Sequence, residues 1–174
     1  MTTLHMTKIR TPLCSLLAIA HGDKLVGLEF ANENGRETDL KQRLTRYLGD
    51  YTLRETSDPA GVATRLKNYF AGDIHALDSQ PVEMHGTAFE RAVWAELLKI
   101  PVGETISYAT LAKRVGRPNG PRAVGQANGR NPVALVVPCH RVIAADGTLG
   151  GYGGGLELKR RLLEHERALE PALV

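Results

Sequence analysis

Val133-Ala134-Leu135-Val136-Val137-Pro138-Cys139-His140-Arg141-Val142-Ile143 is the stretch that organises the rest of the chain. An apolar run stops at a proline, and a thiol and an imidazole follow it directly. Proline has no N–H for a ladder and biases the preceding Val137 towards extended backbone, so Cys139 is expected on a stiff segment rather than a floppy loop. A thiolate attacks where a thiol does not, and neighbouring cationic or proton-accepting groups favour it. The stretch reads as a presented nucleophile. A Cys-His pair alone reads more readily as a small buried hydrophobe beside a surface histidine, because free cysteine is usually just buried.

Outward from that stretch, ordered features accumulate. Thr87-Ala88-Phe89-Glu90 has the form of a capping box, and Phe89, Val93, Trp94, Leu97 and Leu98 give a helical core face that Pro101 ends. Trp94 is read as core. Ser107 can cap a short helix over Tyr108–Val115 that stops at Gly116. Arg117-Pro118-Asn119-Gly120 is a run of turn formers, and Pro121 then suits the first position of a helix over Pro121–Asn128. Two short helices joined by a tight turn fit a helix-turn-helix, with small Ala123, Gly125 and Ala127 letting the second helix approach DNA closely, but on their own they read first as an ordinary helical hairpin. A last helix is expected over Leu156–Glu166, anchored by Leu158, Leu162 and Leu163, with Lys159, Arg160 and Arg161 partly on its solvent face and a frayed tail from Arg167.

Charge is distributed unevenly. The 174 residues carry a net +3, but residues 1–86 hold 10 Lys+Arg against 11 Asp+Glu, and residues 87–174 hold 12 against 8. Between Lys99 and Arg141 stand seven basic residues (Lys99, Lys113, Arg114, Arg117, Arg122, Arg130, Arg141) and one acid, Glu104. A basic stripe confined to one half points to a polyanion, although by itself it is equally a solvated surface.

These motifs together resemble the O6-alkylguanine-DNA alkyltransferases, also called methylated-DNA–protein-cysteine methyltransferases. The resemblance is carried by Asn131-Pro132 with Pro138-Cys139-His140-Arg141-Val142-Ile143, by Gly103-Glu104-Thr105-Ile106-Ser107-Tyr108 and Arg122-Ala123-Val124-Gly125 upstream, and by Gly151-Tyr152-Gly153-Gly154-Gly155 and Leu162-Leu163-Glu164-His165-Glu166 downstream. It is specific over Thr87–Glu166 and weaker over residues 1–86. It implies an α/β N-terminal domain, ribonuclease-H-like, of structural role over 1–80, a linker over 81–86, and a mainly α, winged-helix-like domain over 87–170 that binds DNA and carries the alkyl transfer.

The resemblance also implies roles. Cys139 takes the alkyl group from O6-alkylguanine in duplex DNA in one irreversible displacement, and the protein is consumed. His140 acts through a bound water with Glu166 behind it. On extended backbone the adjacent Cys139 and His140 side chains point apart. Asn131 braces the turns, Tyr108 contacts the flipped base and helps neutralise the leaving guanine, and Arg122 fills the gap in the stack. Ala123, Gly125 and Ala127 line the DNA face, largely insensitive to sequence, in the minor groove. Pro138, Val142, Tyr152 and Gly153 form the alkyl pocket, which Gly153 leaves roomy. No cofactor is implied. The expected partner is double-stranded DNA containing O6-alkylguanine. The chain is expected to act as a monomer, and both O4-alkylthymine repair and clustering on DNA stay open.

Other classes fit less well. The glycine-rich segment lacks the Lys-Ser/Thr pair of a phosphate loop. Cys14 and Cys139 are too few for a disulfide scaffold, so a reducing cytoplasm is the expected compartment. Cys14, read as core, could in principle join His21 and His85 at a metal, but no zinc spacing supports it and none is expected. Lys8, Arg10 and Leu13–Ala20 loosely imitate a signal peptide, yet Pro12 and the turn Gly22-Asp23 fit a strand better, with Val26–Phe30 as hairpin partner. No stretch approaches a membrane span. Two helical stripes complete the N-terminal half: Leu40, Leu44 and Leu48 with Tyr47, and Val62, Leu66, Tyr69 and Phe70, closed by Gly72. A cysteine hydrolase would need an oxyanion hole not visible here. A damage-binding relative without repair would not need Cys139, and a plain regulator would not need Cys139, His140 and Glu166 together.

Overall fold

A computed structural model describes residues 1–31 and 35–169. The Cα positions separate into two compact units, one of Met1–Gly86 with Pro132–Val136, the other of Thr87–Asn131 with Val137–Val174.

The first unit is built on a mixed sheet of β1 (Thr2–Arg10), β2 (Ser15–His21), β3 (Lys24–Phe30) and β4 (Tyr51–Glu55) in the order β3-β2-β1-β4. β1 pairs antiparallel with β2 (Met6 opposite Ile19) and parallel with β4 (Leu4 opposite Leu53). Gly22 takes φ +62° in the turn that returns β2 into β3. Leu16–Ala20 and Leu25–Phe30 are buried without alternation, as strands covered on both faces must be. Helix α1 (Arg36–Leu48) seals one face by setting Leu40 and Leu44 against Leu4, Leu17, Ile19 and Val26. Gly27 of β3 lies so close to α1 that a Cβ there would stand 2.7 Å from Leu40 Cδ2. Helix α2 (Val62–Phe70) buries Val62, Leu66 and Tyr69, and Gly72 follows it at φ +120°.

The stretch expected as a linker carries pairing of its own. Leu25 donates to Pro81 O and Glu83 donates to Leu25 O, both at 2.9 Å. Pro132–Val136 run beside β3, with Leu28 donating to Pro132 O at 2.9 Å and Ala134 to Leu28 O at 2.8 Å. β1 and β4 were not foreseen. Of the nine side chains of β1 only Leu4 is fully covered, so its alternation is faint. Tyr47 is exposed rather than part of the α1 stripe, and stacks on His85 with ring centroids 6.0 Å apart. Cys14 is half-buried, not core, and lies beside the Thr11 hydroxyl at 3.5 Å. His21 Nδ1 and His85 Nε2 both lie 3.2 Å from Glu83 Oε2, so these histidines share a carboxylate rather than meeting Cys14.

The second unit begins with α3 (Ala88–Leu97), where the Thr87 hydroxyl accepts from Glu90 N at 3.1 Å and the Glu90 carboxylate accepts from Thr87 N at 2.9 Å. α3 buries Val93, Trp94 and Leu97, and the indole N–H of Trp94 donates to Ala127 O at 2.9 Å. Leu98 is 45% exposed, because the helix ends one residue earlier and turns it outwards. β5 (Ile106–Ser107) leads into α4 (Tyr108–Arg114), then α5 (Pro121–Gly129), β6 (Val142–Ile143) and α6 (Leu156–His165). Ser107 caps α4 by accepting from Thr110 N at 3.0 Å. Lys159 overturns the expectation for α6: it is buried (0% exposed) with Leu162 and Leu163, while Arg160 pairs with Glu157 and Glu164 on the outer face. Residues 170–174, part of the expected tail, lie outside the described residues. No helix among the described residues is long and apolar enough to cross a membrane.

Candidate active site

The two-stranded pairing of β5 with β6 assembles the site. Ile106 lies opposite Val142 and Ser107 opposite Ile143, in parallel. Tyr108 therefore starts α4 just beyond one strand, while Cys139-His140-Arg141 stand just before the other. The backbone at Cys139 was expected to be extended and is instead a single 3₁₀ turn over Cys139–Arg141. Hydrogen bonding explains this. Cys139 N donates to Val137 O at 2.8 Å across Pro138 (φ −82°, ψ 66°), an inverse γ-turn, and Arg141 N donates to Pro138 O at 3.0 Å. Two asparagines from the end of α5 brace the bend. Asn131 Nδ2 donates to Val137 O at 2.7 Å and Asn128 Nδ2 to Cys139 O at 3.3 Å. Asn131 was anticipated in that role; Asn128 carried no signal beyond lying three residues before it.

His140 is fully buried, and its Nε2 lies 2.9 Å from Glu166 Oε2. Glu166, the C-cap of α6, is 1% exposed. Arg141 grips the same carboxylate with two N–H groups, Nε to Oε1 at 2.8 Å and Nη2 to Oε2 at 3.1 Å, and donates Nη1 to Ile100 O at 2.7 Å. Sequence reasoning placed Arg141 in the basic stripe, but at 7% exposed it belongs to the interior. Burial alone would raise the Glu166 carboxyl. The charges and hydrogen bonds of His140 and Arg141 overcome that and hold it well below the usual carboxylate range. His140 Nδ1 has no protein hydrogen-bond partner, so that nitrogen is the one open to proton traffic.

Cys139 is 7% exposed. The Tyr108 hydroxyl is pushed up by burial and by the charge of Cys139, partly offset by a hydrogen bond with Asn128, so it keeps its proton at neutral pH and can donate. Gly150, at φ +72°, lies against the Tyr108 ring: a Cβ there would stand 3.1 Å from Cε2 and 3.3 Å from the hydroxyl. Tyr152 turns its ring edge-on to His140 at 6.5 Å. Pro138 and Val142 are buried, and Gly153 is half-buried.

On α5, Arg122 is exposed in the first turn, and Ala123 and Gly125 are half-buried. A Cβ on Gly125 would meet Tyr108 Cδ1 at 3.7 Å, so that glycine faces the tyrosine. Ala127 is buried under the helix beside Trp94 and offers no surface to a partner, contrary to expectation. The Arg117 guanidinium stacks over Phe89 at 4.7 Å.

Such an arrangement offers a thiol, an imidazole oriented from behind by a carboxylate, and a phenol that can donate, next to two short helices with an exposed arginine. Residues 88–168 match the family described as "6-O-methylguanine DNA methyltransferase, DNA binding domain". The chain is 42% identical over 160 residues to the methylated-DNA–protein-cysteine methyltransferase of Shigella flexneri, covering 91% of this chain and 93% of that one. The chain belongs to the methylated-DNA–protein-cysteine methyltransferase family. The Mycobacterium bovis member is 41% identical over 172 residues, covering 97% of this chain and 96% of that one. The structure of Mycobacterium tuberculosis OGT in complex with DNA superposes with a TM-score of 0.74 at 38% identity, covering 95% of this chain and 93% of that one.

Proposed function

We propose that this methyltransferase repairs duplex DNA by moving the alkyl group of an O6-alkylguanine onto its own Cys139, once per molecule. The observation that carries the reading is the buried Glu166 carboxylate, bound on one side by His140 and on the other by Arg141, directly behind the cysteine turn. His140 takes the thiol proton on Nδ1 through a water, and the imidazolium is stabilised by Glu166 on Nε2. Cys139 Sγ attacks the alkyl carbon, an S–C bond forms, the C–O6 bond breaks, and its electron pair stays on the guanine. The Tyr108 hydroxyl donates to that developing anion, and the proton removed from Cys139 ends on the restored guanine, which stays in the DNA strand. The thioether has no nucleophile within the chain to reverse it.

Reaching O6 requires the nucleotide to leave the stack, and the exposed Arg122 at the start of α5 is suited to fill the space, because a guanidinium can stack and tolerate phosphates. Ala123 lies on the same helix and Gly125 gives Tyr108 room. Tyr152, Pro138, Val142 and Gly153 enclose the alkyl group. In this reading Thr87 onwards carries DNA binding and transfer, with α4 and α5 as the helix-turn-helix of a winged-helix-like domain, and the mixed sheet of residues 1–80 is a ribonuclease-H-like structural domain.

Intact-protein mass spectrometry after incubation with a duplex holding one O6-methylguanine tests this. One methyl per molecule, mapped to Cys139 and absent in Cys139→Ser, is expected. An unchanged mass with selective binding of the lesion would instead make the chain a damage-recognition protein.

A further inference from the structure

One buried carboxamide that no step of the transfer uses joins two of the reacting residues. Asn128, in the last turn of α5, is 5% exposed and lies one helical turn beyond Gly125, the residue that faces the Tyr108 ring. Asparagine is mostly exposed, and a covered carboxamide needs partners for its polar atoms. One amide hydrogen goes from Nδ2 to Cys139 O at 3.3 Å. A carbonyl oxygen only accepts, so the nitrogen of the carboxamide must face it, and this fixes which way round the group sits. The other amide hydrogen goes to the Tyr108 hydroxyl oxygen, a bond that favours the phenolate against burial and the charge of Cys139. Oδ1 is buried too, and no described residue donates to it.

That Oδ1 shows where the tyrosine hydrogen does not go. A hydroxyl of Tyr108 donating to Asn128 would place its hydrogen on Oδ1, and Oδ1 receives none from the described residues. The Tyr108 oxygen therefore accepts from Asn128 and is left with its own hydrogen to give elsewhere. A hydroxyl that accepts one hydrogen bond becomes a stronger donor in the next, because bonds in a chain polarise one another. Asn131 serves the turn differently. It donates to Val137 O, before Pro138, whereas Asn128 holds the carbonyl of the nucleophile itself.

We propose that Asn128 is a positioning residue of the transfer: one amide hydrogen on the Cys139 carbonyl and the other on the Tyr108 oxygen tie the nucleophile to the proton donor and leave the Tyr108 hydrogen for the guanine. The proposal rests on the reading that Cys139 accepts the alkyl group and Tyr108 donates to the leaving base. As the S–C bond forms and the C–O6 bond breaks, the electron pair left on the guanine draws on the Tyr108 O–H, and the amide steadies the phenol oxygen from behind. Asn128 touches neither the alkyl group nor the base, so its whole effect on the chemistry passes through Tyr108 and the turn at Cys139.

A double-mutant cycle in single-turnover transfer from an O6-methylguanine duplex tests this, with Asn128→Leu, which keeps the shape and removes both donors, in the wild-type and Tyr108→Phe backgrounds. A donor acting directly on a developing oxyanion is worth about 10²–10³ in rate, so one acting through Tyr108 should be worth about tenfold or more. Asn128→Leu is expected to slow transfer at saturating DNA by at least about tenfold in the wild-type background and by less than about threefold once the hydroxyl is gone. A residue that only braces the turn would slow both backgrounds equally. A loss under tenfold in the first background, or of threefold or more in the second, overturns the proposal. If Asn128→Leu does not fold, or Tyr108→Phe transfers too slowly to time, NMR of the two side-chain Hδ2 protons of Asn128 carries the test. Comparing wild type with Tyr108→Phe, one of the two is expected to move upfield on losing its acceptor while the other, on Cys139 O, stays. Two unmoved resonances overturn the proposal equally. A wild-type protein that takes no methyl at all counts against the proposed function, not against the bond between Asn128 and Tyr108, which the NMR comparison reads independently.

Discussion

Arg141→Met removes the guanidinium from a carboxylate that has no access to water. Glu166 is 1% exposed and receives two of its hydrogen bonds from Arg141, at 2.8 and 3.1 Å. Breaking a buried ion pair from one side costs about 3–5 kcal/mol where nothing else holds the charge, and His140 stays on Glu166 here, so that figure is the upper bound. Ile100 O also loses its donor at 2.7 Å. In a chain of this length each kcal/mol moves the melting temperature by about 2–4 °C, so the variant should melt up to about 6–20 °C lower at pH 7.5. The pH dependence separates electrostatics from lost packing. In the wild type the carboxyl is lowered on folding, so its contribution is present above the unfolded value near 4.3 and is lost only as pH falls through the folded value. In the variant that lowering shrinks, and acid neutralises Glu166 and removes the charge that Arg141 no longer holds. The gap between the two melting curves should therefore narrow from pH 7.5 to pH 4. Arg141→Met/Glu166→Gln, which abolishes the charge as well, should recover part of the loss at pH 7.5. Circular dichroism melts of the three proteins suffice. A shift under 2 °C, or a gap that does not change with pH, refutes the claim that Arg141 holds an ionised Glu166.

Three further changes probe other parts of the fold. Gly150→Ala places a Cβ 3.1 Å from the Tyr108 ring at a residue with φ +72°, so transfer should slow by an order of magnitude or more in a single-turnover assay while DNA affinity holds. Gly27→Ala drives a methyl to 2.7 Å from Leu40 in the covered core of the first unit and should cost about 1–3 kcal/mol in urea unfolding, with no effect on the chemistry of Cys139. Thr87→Ala removes the side-chain acceptor for Glu90 N and should cost about 1 kcal/mol in the same measurement, whereas Thr87→Ser should retain most of it.

Local chemistry was legible in the sequence. The capping box at Thr87, the cap at Ser107 and the stop at Gly116 are written within a few residues, and the structure builds helices from them. The family resemblance implies Glu166 behind His140, and the two lie 2.9 Å apart. What stayed hidden was set by partners far along the chain. Arg141 and Lys159 read as surface charge because lysine and arginine are almost always solvated. Each is buried only because carbonyls and a carboxylate from distant segments converge on it, Ile100 and Glu166 for Arg141, Val142, Leu149 and Gly151 for Lys159. The turn at Cys139 departs from extended backbone for a similar reason: the asparagines that hold its carbonyls are Asn128 on α5 and Asn131 just beyond it. Ala127 reads as a small contact residue by type, and only the folded chain shows it buried.

The short run Pro132–Val136 that completes the N-terminal unit has a bearing on synthesis in the cell. Leu28 emerges from the ribosome early, but the carbonyl of Pro132 and the N–H of Ala134 that saturate it come roughly a hundred residues later, about 5–20 s at ordinary elongation rates. During that interval the outer edge of β3 has backbone groups waiting for their partners, a template for stray strand pairing. The nascent protein thus has a window of vulnerability whose length is set by translation speed, and slowing the ribosome between codons 31 and 134 should lower the yield of soluble protein more than the same pause placed after codon 137.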